Sequence, residues 1–211
     1  VQSICDKAIL IANGRIERMG KTELVMDYYN AMLADRDASS IKQTEIADGI
    51  IQTISGTGEA SLEEIHLLDV DGNRLHDIEV GSKISLVITT QVNQDLDSLV
   101  LGFMIKDPLG QVIYGINTHR LQSTLKNVKK GSSYTFRFHF YLNIGVGNYS
   151  IATSLSPGNS HLEKNYEWRD QSMIFHVRNS SREDFVGSAW LNPKLKIEEI
   201  KQGDTAPVKL G

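Results

Sequence analysis

The stretch SYTFRFHFYL, residues 133–142, sets Tyr134, Phe136, Phe138, Phe140 and Leu142 at every second position. Strand side chains alternate between two faces, so this period predicts one buried aromatic face. The opposite face then carries Thr135, Arg137, His139 and Tyr141 outward. A strand that is apolar on one side needs a second layer to cover it. Outward from this stretch the signal repeats at residues 62–69, 83–92, 100–106, 111–117, 149–155 and 173–177, with 186–191 a last candidate. In residues 83–92, Leu86, Ile88 and Val92 alternate in the same way. Turn sequences such as Val70-Asp71-Gly72-Asn73 and Asp107-Pro108-Leu109-Gly110 separate the segments. Such a run of short strands with no convincing helix between them predicts a mainly β fold, an immunoglobulin-like antiparallel β-sandwich.

The start of the chain has a different grain. ICDKAILIANGRIERMG, residues 4–20, reads as two strands, 8–12 and 15–19, around Asn13-Gly14. That dipeptide is a strong hairpin signal, because a type I′ turn needs positive φ at both central residues. In residues 22–34, Leu24, Val25, Tyr28, Tyr29, Met32 and Leu33 share one helical face, and Thr22 is a candidate N-cap. The expected division is a ribbon and helix at 1–36, a linker without periodicity at 37–58, the sandwich at 59–191, and a charged, loosely held tail at 192–211.

With 40% hydrophobic and 23% charged residues among 211, the chain has enough apolar material for a sizeable core. A net charge of −4 argues against a nucleic-acid partner, since phosphate binding depends on clustered Lys and Arg. Lys126, Lys129 and Lys130 make the one short basic cluster and read as a solvated turn. Cys5 is the single cysteine, which excludes an internal disulfide and fits a reducing, cytoplasmic setting. No apolar run approaches the ~20 residues of a spanning helix, and no signal-peptide pattern is expected.

Several chemical motifs fail on spacing. GRIERMGKT, residues 14–22, lacks the G-x-x-x-x-G-K-[ST] order, and backbone amides wrap a phosphate only at that length. Residues 69–73, DVDGN, break the calcium-loop order and have no closing Glu, so they read as a hairpin turn. The histidines, at 66, 76, 119, 139, 161 and 176, show no ligand spacing, and no metal site is expected. No G-x-S-x-G is present, and no catalytic residue is assigned. A hydrolase would need two facing carboxylates, for which Asp95, Asp97, Glu167 and Asp170 are the acids to inspect.

Cys5, Asp6, Lys7, Ala8, Ile9, Ile11, Gly14, Ile16 and Gly20, followed by Val25 and Tyr28 or Tyr29, resemble the carboxyl-terminal end of an ABC-transporter ATPase domain. In that family the Walker and signature motifs lie upstream of this ribbon, hence before Val1. The resemblance therefore implies no cofactor for this chain, with ATP and magnesium belonging to the preceding ATPase portion. A helix, a linker and then a sandwich resemble the Wzt-type ATPases that export O-antigen polysaccharides. Asp107-Pro108-x-Gly110, Tyr114-Gly115-Ile116-Asn117-Thr118, Gly147-Asn148-Tyr149-Ser150-Ile151 and Phe175-x-Val177 are similar to that family's appended domain. The resemblance implies non-catalytic recognition of the exported polysaccharide, near its non-reducing end. It also implies a homodimer, with strand exchange, and a membrane permease reached through the ATPase portion at the inner membrane. The rival reading is a dimerisation or docking module that never touches glycan.

Sugar recognition combines an aromatic face for stacking with planar donors and acceptors for the hydroxyls. The candidates are Arg137, His139 and Tyr141 on the outward face, Tyr114, Asn117 and Thr118 at a strand end, Ser154, and Tyr166 and Trp168 in HLEKNYEWRD, residues 161–170. Each has a plain structural alternative: a solvated sheet residue, a strand-end cluster, or an aromatic plug at the end of the sandwich.

Overall fold

A computed structural model describes residues 4–34, 41–47, 50–158 and 165–198. Strands β1 (Lys7–Ala12) and β2 (Arg15–Lys21) form an antiparallel ribbon. Asn13 and Gly14 turn it at φ +50° and +74°, the positive pair that a type I′ turn demands. Helix α1 (Thr22–Ala34) follows directly. The Thr22 hydroxyl donates to the Cys5 carbonyl at 2.6 Å and ties the helix start to the ribbon entry. Tyr28 donates to Glu17 at 3.0 Å while the Arg18 guanidinium lies 4.6 Å from its ring, so ribbon and helix are one unit.

The sandwich has two sheets. The smaller is β11 (Ser133–Tyr141), β7 (Lys83–Val92) and β5 (Ala60–Leu68), antiparallel in that order. The larger runs β10 (Leu125–Val128), β8 (Leu96–Lys106), β12 (Gly147–Ser156), β13 (Glu167–Arg178), β4 (Ile50–Ser55), β3 (Lys42–Ala47). Strand β9 (Val112–Asn117) also pairs with β8, and β6 (Asp77–Glu79) lies parallel to β13. Leu86 and Ile88 of the small sheet and Leu99, Leu101, Phe103 and Ile105 of the large one meet in the core. Phe138 packs edge-on to Phe103 with centroids 4.9 Å apart, so the alternating aromatics of residues 133–142 point inward as expected. They are half-buried rather than buried because β11 is an edge strand. At one end Glu167 accepts from the Leu62 amide (3.0 Å) and pairs with Arg169 (3.0 Å), whose guanidinium also donates to the Leu62 carbonyl, joining the two sheets.

Three expectations are corrected. The stretch read as a linker, 37–58, contributes β3 and β4, which extend the large sheet through Ser55 and Ile54 opposite Trp168 and Arg169. A two-stranded hairpin this polar is marginal alone and becomes a strand pair by adding to an existing edge, which no local pattern reveals. Residues 37–40 and 48–49 of that stretch lie outside the described residues. The candidate strand at 186–191 is an extended segment with one isolated bridge, Ala189 to Ile144. Trp190 closes over Gly81, where any Cβ would come within 2.5 Å of the indole, and Gly81 holds φ +75°. Lastly, Trp168 belongs to β13 rather than to a loop, and residues 161–164 of that stretch lie outside the described set, as do 199–211 of the tail.

The turn at 69–73 is the expected hairpin. Asp69 Oδ1 accepts from the amides of Asp71 (2.9 Å) and Asn73 (2.8 Å). The Asn73 side chain, then these amides, hold the Asp69 carboxyl below its usual range.

Candidate functional site

Cross-strand register arranges the outward face of the small sheet in rows. Thr135, Thr89 and Glu64 form one row, Arg137, Val87 and His66 the next, and His139, Ser85 and Leu68 the third. Tyr141 lies opposite Lys83 at the end. Neighbouring polar groups pair: Ser85 with His139 Nδ1 at 2.7 Å, His66 with Glu64 at 3.1 Å, and Thr89 with Thr135 at 3.2 Å. Among the described residues the Arg137 guanidinium and the Tyr141 phenol have no such partner, and Tyr141 is 63% exposed. Both therefore present their full donor capacity to a ligand.

Between the free edges of β11 and β9 the two sheets part, leaving a cleft of about 670 Å³. Phe103, Ile105 and Ile116 wall it on one side and Phe138 and Phe140 on the other. Tyr114, Arg137, His139 and Tyr141 stand at its mouth. An apolar trough rimmed by an arginine, a histidine and two tyrosines suits a ring with one apolar face and several hydroxyls.

The remaining candidates lie elsewhere. Asn117 and Ser154 flank Gly102 on the outer face of the large sheet, in a separate groove of about 370 Å³ that includes Arg120. Asn117 accepts from the Arg120 amide at 2.8 Å, which shapes the turn. Thr118 is buried and its hydroxyl accepts from the Leu101 amide at 3.1 Å, a structural task. Tyr166 is buried and donates to the Ser98 carbonyl at 3.2 Å. Trp168 is 7% exposed, with the Lys106 ammonium 5.7 Å from its ring centroid. Thr118, Tyr166 and Trp168 thus belong to the scaffold; no face of either aromatic ring is open for stacking. Sequence reasoning missed Lys83, Ser85 and His66 as neighbours of Arg137 and His139. Alternation in residues 83–92 put Ser85 outward, but only the strand pairing sets it beside His139.

The acids named for a hydrolase are occupied or isolated. Asp95 binds Lys129 (2.9 Å) and the Lys130 amide (2.8 Å), Glu167 binds Arg169, and Asp170 is buried against Lys106. Among the described residues no cluster of His, Cys, Asp and Glu is placed to hold a metal, and no helix is long and apolar enough to cross a membrane.

The chain resembles a crystal structure of the C-terminal domain of wzt, at 22% identity and a TM-score of 0.62, over 70% of this chain and 89% of that one. That identity speaks to the fold alone. A Niemann-Pick type C2 protein from Japanese carpenter ant aligns at 10% identity and a TM-score of 0.42, over 58% and 96% of the two chains. No curated protein matches the sequence. The family model for the Wzt C-terminal domain matches residues 52–191. That span takes in the small sheet, the large sheet apart from β3 and the start of β4, and about two thirds of the sequence, and the chain belongs to the Wzt C-terminal domain family.

Proposed function

We propose that this chain is the non-catalytic part of an O-antigen ABC transporter that recognises the exported polysaccharide and brings it to the membrane permease. On this reading the ribbon and helix are the end of the ATPase portion, which works at the cytoplasmic side of the inner membrane. The observation that carries the reading is the row Arg137, His139 and Tyr141, gathered with Tyr114 at the mouth of the cleft. Tyr141 and Tyr114 stack on the C–H faces of sugar rings, while Arg137 and His139 bond the hydroxyls. Removing water from many hydroxyls offsets much of the gain, so a single site binds weakly and paired sites on one polymer raise the apparent affinity.

Calorimetric titration of the chain with the O-polysaccharide of its source organism is expected to saturate, and a polymer from an unrelated serotype to give no heat. Tyr141→Ala and Arg137→Ala are each expected to weaken binding about ten-fold or more, since a buried aromatic or arginine contact contributes roughly 1.5–3 kcal/mol. Normal binding by both variants would remove the site from this face.

A specific feature also favours self-association. Val186, Leu191, Leu195 and Ile197 are 102%, 83%, 84% and 83% exposed on an extended segment, while β11 and β9 each have an unpaired edge among the described residues. Several large apolar residues exposed along one segment mark an interaction surface, and an open strand edge supplies a place for it to pair. A homodimer that exchanges this segment fits both observations and the family resemblance. Sedimentation is expected to give a dimer for the whole chain and a monomer when residues 186–211 are deleted. A truncated chain that remains dimeric would place the interface elsewhere.

A further inference from the structure

Lys106 leaves β8 on the outer face of the large sheet, the face that α1 approaches. Its ammonium donates to both oxygens of Asp170, at 3.0 and 2.9 Å, and stands 3.6 Å from Asp27 Oδ1. Lys106, Asp170 and Asp27 are 7%, 2% and 3% exposed. Lys106 and Asp170 both belong to the sandwich. A bulge in β13, where its register with β12 shifts and Gln171 takes φ +46°, lets Asp170 reach the lysine. Asp27 comes from the helix. The sandwich pair is already neutral, so the second carboxylate adds an attachment for α1 rather than balancing a charge.

A buried ion contact depends on geometry more strictly than an apolar one, because its attraction offsets the cost of desolvation only when the partners are well placed. We infer that Asp27, Lys106 and Asp170 form a latch that holds the ribbon and helix in a single orientation on the sandwich. The ribbon follows the helix rigidly through the Thr22–Cys5 and Tyr28–Glu17 bonds. Strand β8 carries the link onward, because Phe103 and Ile105, on its opposite face, wall the cleft. Whatever is continuous with the ribbon is thereby held in register with the cleft, irrespective of what the cleft binds.

Cys5 is exposed and is the single cysteine, which makes it a ready label site on the ribbon. With Lys126→Cys on β10 as the second nitroxide position, pulsed dipolar spectroscopy of the whole chain is expected to give one narrow distance distribution. Asp27→Ala should broaden it at least two-fold. Alanine preserves helix propensity, and the Lys106–Asp170 pair stays intact, so the far-ultraviolet spectrum and thermal midpoint of the sandwich remain in place. Lys106→Met/Asp170→Leu, which removes the charges from the sandwich side, should broaden the distribution in the same way. A narrow distribution in both variants, or a broad one in the parent, overturns the latch.

Discussion

Lys106→Ala is expected to lower the unfolding free energy by about 3–5 kcal/mol, the range found when one partner of a buried ion pair is removed. The loss comes less from the missing attraction than from what is left behind. Asp170, 2% exposed on the sandwich itself, would be left without its ammonium, and Asp27 on the helix would lose its partner there. Replacing all three, as Lys106→Ala/Asp27→Asn/Asp170→Asn, should recover much of the loss, because no uncompensated charge then stays buried. Urea unfolding of the two variants beside the parent measures this, and similar stabilities for single and triple variants would contradict the argument. The pH dependence has a definite sign. Burial pushes the Lys106 ammonium toward neutrality, but Asp170 and Asp27 outweigh it and hold the pKa above the ordinary lysine value. Its stabilisation is therefore complete below the unfolded pKa of about 10.4 and fades only as pH rises through the higher folded value. The gap between parent and Lys106→Ala should accordingly narrow in alkali, as the parent's lysine loses its charge.

Phe103→Ala should cost about 3 kcal/mol, at the lower end of the range for truncating a buried phenylalanine. Phe103 is 3% exposed and joins the sheets, with Phe138 edge-on at 4.9 Å, Phe140 stacked at 6.2 Å and Tyr114 tilted at 6.0 Å. Its neighbours cannot collapse far, because each is fixed by its own strand. The lower end applies because the cleft already opens beside the ring, so water can enter part of the vacated space. Phe103→Leu, which keeps most of the volume, should cost less than half as much. Equal losses for the two substitutions would mean that the ring is not the bridge described. The same experiment reports on the cleft, since Phe103 forms its wall while Tyr141 and Arg137 stand at the rim.

Much of the fold was legible where the local pattern was strong. The period of two in residues 133–142 and 83–92 set the inward and outward faces, and Asn13-Gly14 set the ribbon turn. The outward placement of Arg137, His139 and Tyr141 followed from the same alternation. Tyr166 and Trp168 misled because a tryptophan among charged residues looks like a loop aromatic. In fact it is covered by Lys106, from a strand more than sixty residues earlier in the chain. The hairpin of β3 and β4 was hidden for a related reason: its strand character comes from the edge of β13.

By itself, then, the sequence determined the β-sandwich class, the faces of its amphipathic strands and the ribbon and helix, because side-chain alternation and turn chemistry are local. Only the tertiary structure decided which outward residues share a surface, where the cleft opens, and that Lys106, Asp170 and Asp27 meet. Those facts depend on strand order and register, which join residues far apart in the chain and leave no mark on any short stretch of it.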